Sequence, residues 1–404
     1  MSDYVPFEIQ IEIFKKLPVK SLLRCRSVSK PWKSLIDSSD FVANYHFNHK
    51  QRVHVRYVDS IHKVAITATM RQYRSKAEDE KYVSIVDDDD DSFPQNEFPI
   101  VVPSDVRRLG KFPDIIGSSH GVLCLCAISR EFCRAQLCKT KTFVLWNPSI
   151  RKSIRIRLVP DVLINEEFET VVGFGVCPRT SDPKLVKLTY ISSSSFTKKF
   201  MRKCIPRQVE LFNLSSGFWR SLSMNVPRKS IELTWEQVCV DKFIYWVAFD
   251  RTRVGHTIQK KNMILSFDMT TEEFTEIDLP SNLANLYNGC LLVSKLCTSL
   301  VVLETEYEPI REYCVWRMEH GNPNTFTKLF VIKSPFESLQ IKTVHDFRKT
   351  GEPIIEMLLV NKDAQNAVFV YEPESEEISD IGIAGGGLSC LAKSYIETLV
   401  LLDK

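Results

Sequence analysis

Four closely spaced cysteines are the first residues of this sequence whose types could do chemistry, because clustered thiolates can hold zinc. They are Cys124, Cys126, Cys133 and Cys138. Their spacing lacks the paired Cys-x-x-Cys units of structural zinc sites. Cys124 and Cys126 would instead fall on one face of a strand, where a reduced cysteine acts as a small core residue. We therefore predict no metal site and no cofactor.

A serine and a histidine lie between two glycines in Gly117-Ser118-Ser119-His120-Gly121, which raises the question of a hydrolase. The sequence has no Gly-x-Ser-x-Gly nucleophile elbow, and a glycine-bounded turn that leads into a strand accounts for the segment more simply. Gly385-Gly386-Gly387 is not followed by the Lys-Ser/Thr of a phosphate-binding loop, so it is interpreted as a turn. Because no catalytic constellation emerges, we predict a binding protein and not an enzyme.

Two charged clusters are interpreted mainly as solvated surface. Asp87–Asp91 is a run of acids without the alternation and the glycine that calcium loops need. The basic cluster consists of Lys198, Lys199, Arg202, Lys203 and Arg207, and it could attract an acidic target. The formal net charge of the whole chain is only +3, which argues against a dedicated nucleic-acid-binding protein.

The length of the chain bounds its organisation. Its 404 residues exceed the roughly 250–300 that one hydrophobic core serves, so at least two structural units are expected. Acidic residues interrupt the N-terminus where a signal peptide would be apolar, and no apolar stretch approaches the ~20 residues of a membrane helix. We expect a protein of the cytosol and/or nucleus, without membrane contact and with reduced cysteines.

The N-terminal residues predict a small helical unit. Pro6 suits the first turn of a helix, and that helix must end before Pro18 because the residue preceding a proline is disfavoured in the α region. A second helix follows over Val19–Val28, and Ser29 can cap a third. The stretch Phe7–Ile13 alternates apolar and polar residues, which by itself favours a strand, so both interpretations stay open there.

So small a unit cannot bury all of its apolar side chains by itself. The residues in question are Ile9, Ile13, Leu17, Leu22, Leu23 and Trp32. They could pack on the following domain, or they could form an exposed patch that another protein covers, and spacing alone does not decide between the two.

The same segment resembles an F-box, most closely the plant versions of that family. The matching stretches are Pro6-x-Glu8-Ile9, Glu12-Ile13, Leu17-Pro18-Val19-Lys20-Ser21-Leu22-Leu23-Arg24, Val28-Ser29-Lys30, Trp32 and Leu35-Ile36, whereas Val5, Phe14 and Lys16 depart from the family pattern. The resemblance implies binding to a Skp-type adaptor, and through it to a cullin, in a ubiquitin ligase. The adaptor-binding residues that it implies are Pro6, Ile9, Ile13, Phe14, Leu17, Pro18, Leu22, Leu23, Val28 and Trp32.

From about residue 46, short runs rich in Val, Ile, Phe and Tyr alternate with polar turns, which predicts a mainly β structure. One unit recurs, namely a strand that ends in an aromatic residue, a polar turn, and a second strand that opens with a bulky residue. The aromatic residues are Trp146, Phe212, Phe267, Trp316 and Tyr371, and Tyr82–Asp87 is a degenerate earlier copy. Recurrence about every 50 residues is typical of kelch-like β-propellers and allows about six or seven blades. Tyr395–Leu402 is predicted to close the structure against early strands.

This region also resembles the F-box-associated domain of plant F-box proteins. The residues that carry the resemblance are Gly117–Cys124, Leu145–Ser149, Val172–Gly175 and Phe267-Asp268, although the double-glycine kelch signature is absent. Together the two resemblances imply a multidomain, mainly β protein. Residues 1–45 would form a helical F-box domain, and residues 46–404 a kelch-like β-propeller that recognises a substrate.

We thus expect the substrate-recognition subunit of a Skp–cullin–F-box ubiquitin ligase, whose partners are a Skp-type adaptor and a target protein of unknown identity, without nucleic acid. One alternative is a non-degradative F-box scaffold that acts without cullin. Another is a ligand-binding or hydrolytic propeller with an incidental helical N-terminus. The lack of clustered carboxylates weighs against the latter.

Overall fold

A computed structural model describes most of the chain. The described residues are 5–45, 51–58, 80–87, 93, 97–110, 113–133, 136–157, 168–191, 208–223, 226–228, 230–254, 257–287, 289–306, 312–334, 339–359, 365–386 and 390–401. The predicted basic cluster from Lys198 to Arg207 and residues 88–91 of the acidic run lie outside these ranges.

Four helices follow one another in the N-terminal helical region (residues 5–45), and two short ones lie elsewhere among the described residues. They are α1 (Phe7–Lys15), α2 (Val19–Val28), α3 (Lys30–Ile36), α4 (Ser39–Asn44), α5 (Ser104–Arg107) and α6 (Ser281–Ala284). Pro6 immediately precedes α1 and does not lie in its first turn, whereas α1 ends before Pro18, as predicted. The hydroxyl of Ser29 accepts a hydrogen bond from the backbone N–H of Trp32 at 3.3 Å, which confirms the predicted cap of α3.

Two points of the helical region differ from a simple pattern-based expectation. The alternating stretch Phe7–Ile13 is helical, so the strand alternative is wrong there. The helix α4 is the second difference, since only three helices are expected from the sequence. The hydroxyl of Ser38 accepts from the N–H of Phe41 at 3.3 Å and caps this fourth helix. No helix in the described ranges is long and apolar enough to span a bilayer.

Six four-stranded sheets confirm the mainly β prediction and fix the number of blades at six. Neighbouring strands within each sheet are hydrogen-bonded in the following order. Sheet I is β24 (Leu391–Ile396), β1 (Gln51–Val58), β2 (Glu80–Asp87) and β3 (Glu97–Pro99). Sheet II is β4 (Asp114–Ser119), β5 (Val122–Cys133), β6 (Gln136–Asn147) and β7 (Lys152–Arg157). Sheet III is β8 (Phe168–Cys177), β9 (Asp182–Ile191), β10 (Gln208–Asn213) and β11 (Phe218–Leu222).

The remaining three sheets follow the same order of strands. Sheet IV is β12 (Ile231–Val240), β13 (Phe243–Val254), β14 (Thr257–Asp268) and β15 (Glu273–Asp278). Sheet V is β16 (Leu291–Leu296), β17 (Ser299–Glu306), β18 (Glu312–Met318) and β19 (Phe326–Ile332). Sheet VI is β20 (Leu339–Phe347), β21 (Pro353–Leu359), β22 (Gln365–Tyr371) and β23 (Ile378–Gly386).

The chain divides into two compact units. The first unit comprises Met1–His49, Pro103–Leu286 and Ile396–Lys404, so it contains the helical region and sheets II, III and IV. The second unit comprises Lys50–Val102 and Tyr287–Tyr395, with sheets I, V and VI. The predicted domain boundary at residue 45 stays a prediction.

The predicted repeat corresponds to the third and fourth strands of each sheet. The recurring aromatic residues lie at or near the ends of β6, β10, β14, β18 and β22, and the degenerate copy is β2. In sheet III, Phe212 is directly opposite Trp219, with ring centroids 5.4 Å apart, and Phe267 is opposite Phe274 at 4.8 Å in sheet IV. Such cross-strand aromatic pairs stabilise a hairpin, which explains why the sequence repeats them.

The polar residue that follows the aromatic shapes the turn. Asp268 accepts hydrogen bonds from the N–H groups of Thr270 and Thr271 at 2.7 and 3.2 Å, and Asn147 accepts from Ser149 at 2.9 Å. These Asx-type turns reverse the chain between the third and the fourth strand and fix the register of the fourth strand.

The predicted closing strand is present but begins and ends earlier. The last strand, β24, covers Leu391–Ile396 and joins sheet I beside β1, whereas the prediction placed it at Tyr395–Leu402. Residues 397–401 are not in a strand. Thr398–Leu401 are buried, so their apolar character serves packing and not strand pairing.

Candidate protein-interaction surfaces

Four apolar side chains are exposed at the start of the helical region, namely Val5, Phe7, Ile9 and Ile13. Ile9 and Ile13 are four residues apart on one side of α1, are 52% and 48% exposed, and define its outer face. Together with Val5, Phe7 and Val28, they make up half of the ten large hydrophobic side chains that are exposed among the described residues. Apolar side chains concentrated in this way usually mark a partner surface.

Phe14 and Leu22 must be reassigned from the predicted adaptor-binding set to the core. Phe14 is only 5% exposed and Leu22 is fully buried, and both belong to a hydrophobic cluster of the first unit. A side chain sealed inside the protein cannot contact a partner without local unfolding. These two residues therefore hold the helices in place.

The other eight predicted residues divide by exposure. Pro6, Ile9, Ile13, Pro18 and Val28 are exposed, whereas Leu17, Leu23 and Trp32 are half-buried and pack against the same cluster. Both alternatives raised by the sequence therefore apply, since one side of the helical region packs on the protein and the other side is open. The adaptor-binding role of these eight residues stays a prediction.

Trp32 connects α3 to α1. Its ring nitrogen Nε1 donates to Oε1 of Gln10 at 2.8 Å, and its ring meets Phe14 edge to face at a centroid distance of 5.1 Å. Because Trp32 is half-buried, one part of it positions α1 and the other part stays accessible.

A bidentate ion pair connects α2 with the end of α3. Nε and Nη2 of Arg26 donate to the two carboxylate oxygens of Asp37 at 2.5 and 2.9 Å. The hydrogen bond to Asp37 raises the pKa of Arg26, whose guanidinium stays charged. This planar pairing fixes the angle between the two helices, because both groups must lie in one plane.

The helical region is anchored on the sheets through the C-terminal segment (396–401). Leu399, Val400 and Leu401 belong to the same cluster as Phe14 and Leu22, together with side chains of sheets II and III. The hydroxyl of Tyr45, just after α4, donates to the carbonyl of Leu17 at 2.5 Å. Burial, followed by the nearby charge of Glu397, raises the pKa of Tyr45, so this phenol remains a donor.

Asn147 holds the C-terminal segment against sheet II. Its side-chain amide donates to the carbonyls of Thr398 and Val400 at 3.0 and 2.9 Å. The hydroxyl of Thr398 donates to the carbonyl of His120 at 2.9 Å. Gly121 has φ of +74°, and a Cβ there would lie 2.3 Å from the carbonyl oxygen of Ile396, so this position requires glycine.

The segment Gly117–Gly121, which contains Ser119 and His120, connects neighbouring strands of the first unit. The hydroxyl of Ser119 is buried and accepts from the N–H of Val176 at 3.0 Å, and it lies 3.1 Å from Nδ1 of His120 and 3.3 Å from the sulfur of Cys239. Gly117 leaves room for the amide of Gln237, which donates to the carbonyl of Ile116 at 2.9 Å. These contacts join β4 to β8 and β12, which agrees with the predicted turn.

The contacts of Ser119 also define two ends of the first unit. Ser119, Val176 and Cys239 lie at or near the last residues of β4, β8 and β12, so these first strands finish together. We call this the turn end; the C-terminal segment contacts sheet II there. Each second strand runs antiparallel to the first, so the second strands end at the opposite end of these sheets.

Two family models match the chain. The model of the F-box domain matches residues 5–44, and the model described as the F-box associated beta propeller domain matches residues 129–400. The chain is a plant F-box protein. The match to the F-box associated beta propeller domain begins after Gly117–Cys124. That part of the predicted resemblance therefore lies outside the matched residues. The kelch-like subtype stays a prediction.

Several relatives of this F-box protein are from Arabidopsis thaliana. The chain is 23% identical to the F-box protein At4g22390, over 98% of this chain and 90% of that protein. It is also 23% identical to the F-box protein CPR1, over 98% of this chain and 89% of that protein. Two further Arabidopsis F-box relatives match over only 62% and 61% of their own length.

Solved structures add little. The β-propeller domain of the Trilobed protease from Pyrococcus furiosus is 13% identical, over 67% of this chain and 71% of that one, with a TM-score of 0.36. A likeness this distant carries no argument about function. The F-box and F-box-associated families are adaptor-like, which agrees with the expectation that this protein is not an enzyme.

The cysteines are placed in the core where they are described. Cys124 is fully buried and Cys126 nearly so, and burial raises the pKa of both thiols, that of Cys126 to about 12. The side chains of Cys133 and Cys138 lie outside what the structure describes. Thiols with raised pKa values are poor nucleophiles and poor metal ligands, because the thiolate is the reactive form.

Sequence reasoning missed the anchoring role of the C-terminal segment. The only signal was the apolar run Leu399–Leu402, and a run of that length is equally typical of a strand. The contribution of Asn147 was missed as well, since an asparagine after an aromatic residue predicts the turn but not its second set of hydrogen bonds.

Proposed function

We propose that this F-box protein is the substrate-recognition subunit of a Skp–cullin–F-box ubiquitin ligase in the cytosol or nucleus. The F-box would bind a Skp-type adaptor, and the β-propeller domain would bind a target protein. The observation that carries the proposal is the apolar outer face of α1, which is open although Phe14 of the same helix is buried and Ile11 packs against the same cluster. An exposed face on an anchored helix suits a partner that covers it.

The role of the protein in this proposal is positional. The F-box is packed on the first unit through the C-terminal segment and is not connected to it by a linker alone. A target held by this unit would stay at a fixed distance from the adaptor. Holding two reactants in this way replaces a bimolecular encounter by a local one, which is the source of the rate gain expected for a ligase receptor.

The first test is the affinity for a purified Skp-type adaptor. The variant Ile9→Ala/Ile13→Ala should bind at least ~30-fold more weakly, since two anchors near the centre of an interface typically contribute about 2 kcal/mol or more. Its free energy of unfolding should change little, because both side chains are about half exposed and alanine favours helix. The matched control is Ile128→Ala, which removes an equally exposed isoleucine from β5.

Unchanged adaptor affinity of the double variant would overturn the assigned face. A second measurement separates a ligase subunit from a scaffold that acts without cullin. In a reconstituted reaction with adaptor, cullin and a ubiquitin-charged conjugating enzyme, the wild-type chain should promote ubiquitin transfer to a captured protein, and the double variant should not. Adaptor binding without any ubiquitin transfer would favour the scaffold.

A further inference from the structure

The short helix α5 and the outer strand of sheet II, β7, together carry a concentration of positive charge. Residues 104–108 and 151–157 contain six Lys or Arg and one acid, so their net charge is +5, whereas the whole chain has only +3. The four arginines of α5, its C-cap and β7 are all exposed. We define them as the arginine patch, namely Arg107, Arg108, Arg155 and Arg157.

A hydrogen bond places α5 against one face of β7. The hydroxyl of Ser153 donates to Oδ2 of Asp105 at 3.0 Å, so α5 lies on the face of β7 that carries Ser153. Successive side chains of a strand alternate between its two faces, and Arg155 and Arg157 therefore share the face of Ser153. At about 3.3 Å per residue, the patch extends from α5 along about 13 Å of this strand.

Both elements are held in place by buried neighbours. Val106 of α5 is buried, and so is Ile156 on the other face of β7. Ile156 belongs to the hydrophobic cluster that includes Phe14 and Leu22, and Ile154 packs against it. The arginine patch is therefore a fixed surface, on the face of β7 opposite to the one that shares a cluster with the helical region.

Acidic residues of the protein compensate the patch very little. In the part of the chain that the structure describes, Arg107, Arg155 and Arg157 form no ion pair. Arg108 lies 3.9 Å from Asp105, and its side chain is 67% exposed. Three other arginines of the first unit each have a carboxylate oxygen within 3.0 Å, namely Arg26, Arg228 and Arg251. The charge of the patch is thus available to an anionic group from outside.

The competing explanation is protection of a sheet edge. β7 is the edge strand of sheet II, and charged side chains often keep such an edge from pairing with another chain. Protection, however, works with charges of either sign and does not need further arginines on α5. An edge strand also offers main-chain groups to an added strand, and opposite charges directly across two strands stabilise the pair. A patch of one sign beside an open edge therefore suits an extended acidic segment.

We propose that the arginine patch binds an extended segment of the target protein that adds to the edge of β7 and carries Asp or Glu at every second position. Alternate side chains of an added strand lie on the face of Arg155 and Arg157, where each guanidinium can pair with a carboxylate through two hydrogen bonds.

The proposal rests on the proposed function, because a ubiquitin-ligase receptor requires a protein target. That requirement favours an acidic protein over a nucleic acid. The other face of β7 packs towards the cluster of the helical region, so the target and the adaptor would not compete for one surface.

The test measures the fluorescence anisotropy of labelled peptides of equal length on the full chain, alone and with its Skp-type adaptor. One peptide alternates Glu with Thr, a second has the same composition with all Glu residues at one end, and a third alternates Lys with Thr. The alternating Glu peptide should bind most tightly, with an affinity that falls as the salt concentration rises.

Equal affinities of the two Glu peptides would overturn recognition at every second position. Equal binding of the Lys peptide, or tighter binding of a single-stranded RNA oligonucleotide, would overturn the acidic protein partner. Binding of an alternating phosphoserine peptide without binding of the Glu peptide would overturn the carboxylate as the recognised group.

The variant Arg155→Glu/Arg157→Glu should weaken binding of the alternating Glu peptide by about tenfold or more, because two charge-assisted pairs are lost. The matched control is Arg179→Glu/Lys295→Glu, which makes the same change in charge at two exposed residues outside the patch. Equal losses in both variants would show that only net charge matters and would overturn the proposed site.

A conservative variant tests the geometry of the pairing. Arg155→Lys/Arg157→Lys keeps the charge but removes the planar fork of the guanidinium, so its affinity should fall between those of the wild type and Arg155→Glu/Arg157→Glu. Urea denaturation of the variants confirms that they are folded. A conservative variant as weak as the Glu variant, with the same stability as the wild type, would show that charge at these positions contributes nothing and would contradict the proposal.

Failure of this proposal and failure of the ligase function give different results. If the chain binds the adaptor through Ile9 and Ile13 but binds no acidic peptide, only the acidic target is refuted. If it binds the alternating Glu peptide but no adaptor, the ligase function is refuted and the arginine patch retains its ligand.

Discussion

The packed side and the outer face of the helical region are formed by the same helices but differ in what covers them. On the packed side, Phe14 and Leu22 share a buried cluster with Leu399, Val400 and Leu401, and the amide of Asn147 holds this C-terminal segment in place. On the outer face, Ile9 and Ile13 are about half exposed. The packed side therefore serves stability, whereas the outer face is open to a partner.

This difference separates two kinds of residue. The outer face of α1 is open although its helix is anchored by buried neighbours, so changes there should affect binding and not folding. Leu22 and Asn147 are fully buried, so changes there should affect folding first. Substitutions on the two sides test this contrast.

The largest effect is expected at Leu22, which is fully buried in the cluster shared by the helices, the sheets and the C-terminal segment. Leu22→Ala should lower the free energy of unfolding by about 2–5 kcal/mol, the range for large-to-small changes in a core. The control Val28→Ala, in the same helix but 71% exposed, should change it by no more than about 0.5 kcal/mol. Urea denaturation of both variants measures the difference, and equal effects would show that α2 is not anchored as described.

The next effect concerns the attachment of the C-terminal segment. Asn147→Ala removes the donors to the carbonyls of Thr398 and Val400 and leaves these buried acceptors unpaired, which should cost about 1–3 kcal/mol. Asn213 follows the aromatic residue of sheet III in the same way, but its Oδ1 has no hydrogen-bond partner in the described structure. Asn213→Ala is therefore the matched control and should cost less. Hydrogen exchange at residues 398–401 should rise only in the first variant.

A smaller, pH-dependent effect is expected for Glu272, in the turn between β14 and β15. Burial raises the pKa of Glu272, but hydrogen bonds from Arg220 and Lys184 outweigh it and leave the pKa below its usual value of 4.5. The folded state thus favours the carboxylate, and the stabilisation is present above pH 4.5 and is lost as the pH falls below that value.

Glu272→Gln should accordingly lower the free energy of unfolding by about 1 kcal/mol at neutral pH and by progressively less in acid. Urea denaturation between pH 7 and pH 3 compares the variant with the wild type. Glu273→Gln serves as a control, since the neighbouring Glu273 is exposed. A difference between wild type and Glu272→Gln that grows towards low pH would contradict the assigned direction of the pKa shift.

The parts of the fold that the sequence predicted are those encoded locally. Trp146, Phe212 and Phe267 marked the third strands because an aromatic residue, a polar turn residue and a bulky residue recur within one hairpin. The burial of Phe14 and Leu22 was missed because residues at the far end of the chain contribute to the cluster that covers them. No local pattern reports such a contact, and both sides of α1 are apolar, so spacing could not tell which side would be covered.

The smallest effect on folding is expected on the outer face of α1. Ile9→Ala/Ile13→Ala should change the free energy of unfolding by about 0.5 kcal/mol or less, because both side chains are about half exposed. The same variant should bind the adaptor more weakly, so stability and binding separate there. Urea denaturation beside Leu22→Ala measures the contrast, and a loss of stability as large as that of Leu22→Ala would mean that Ile9 and Ile13 are packed within the protein.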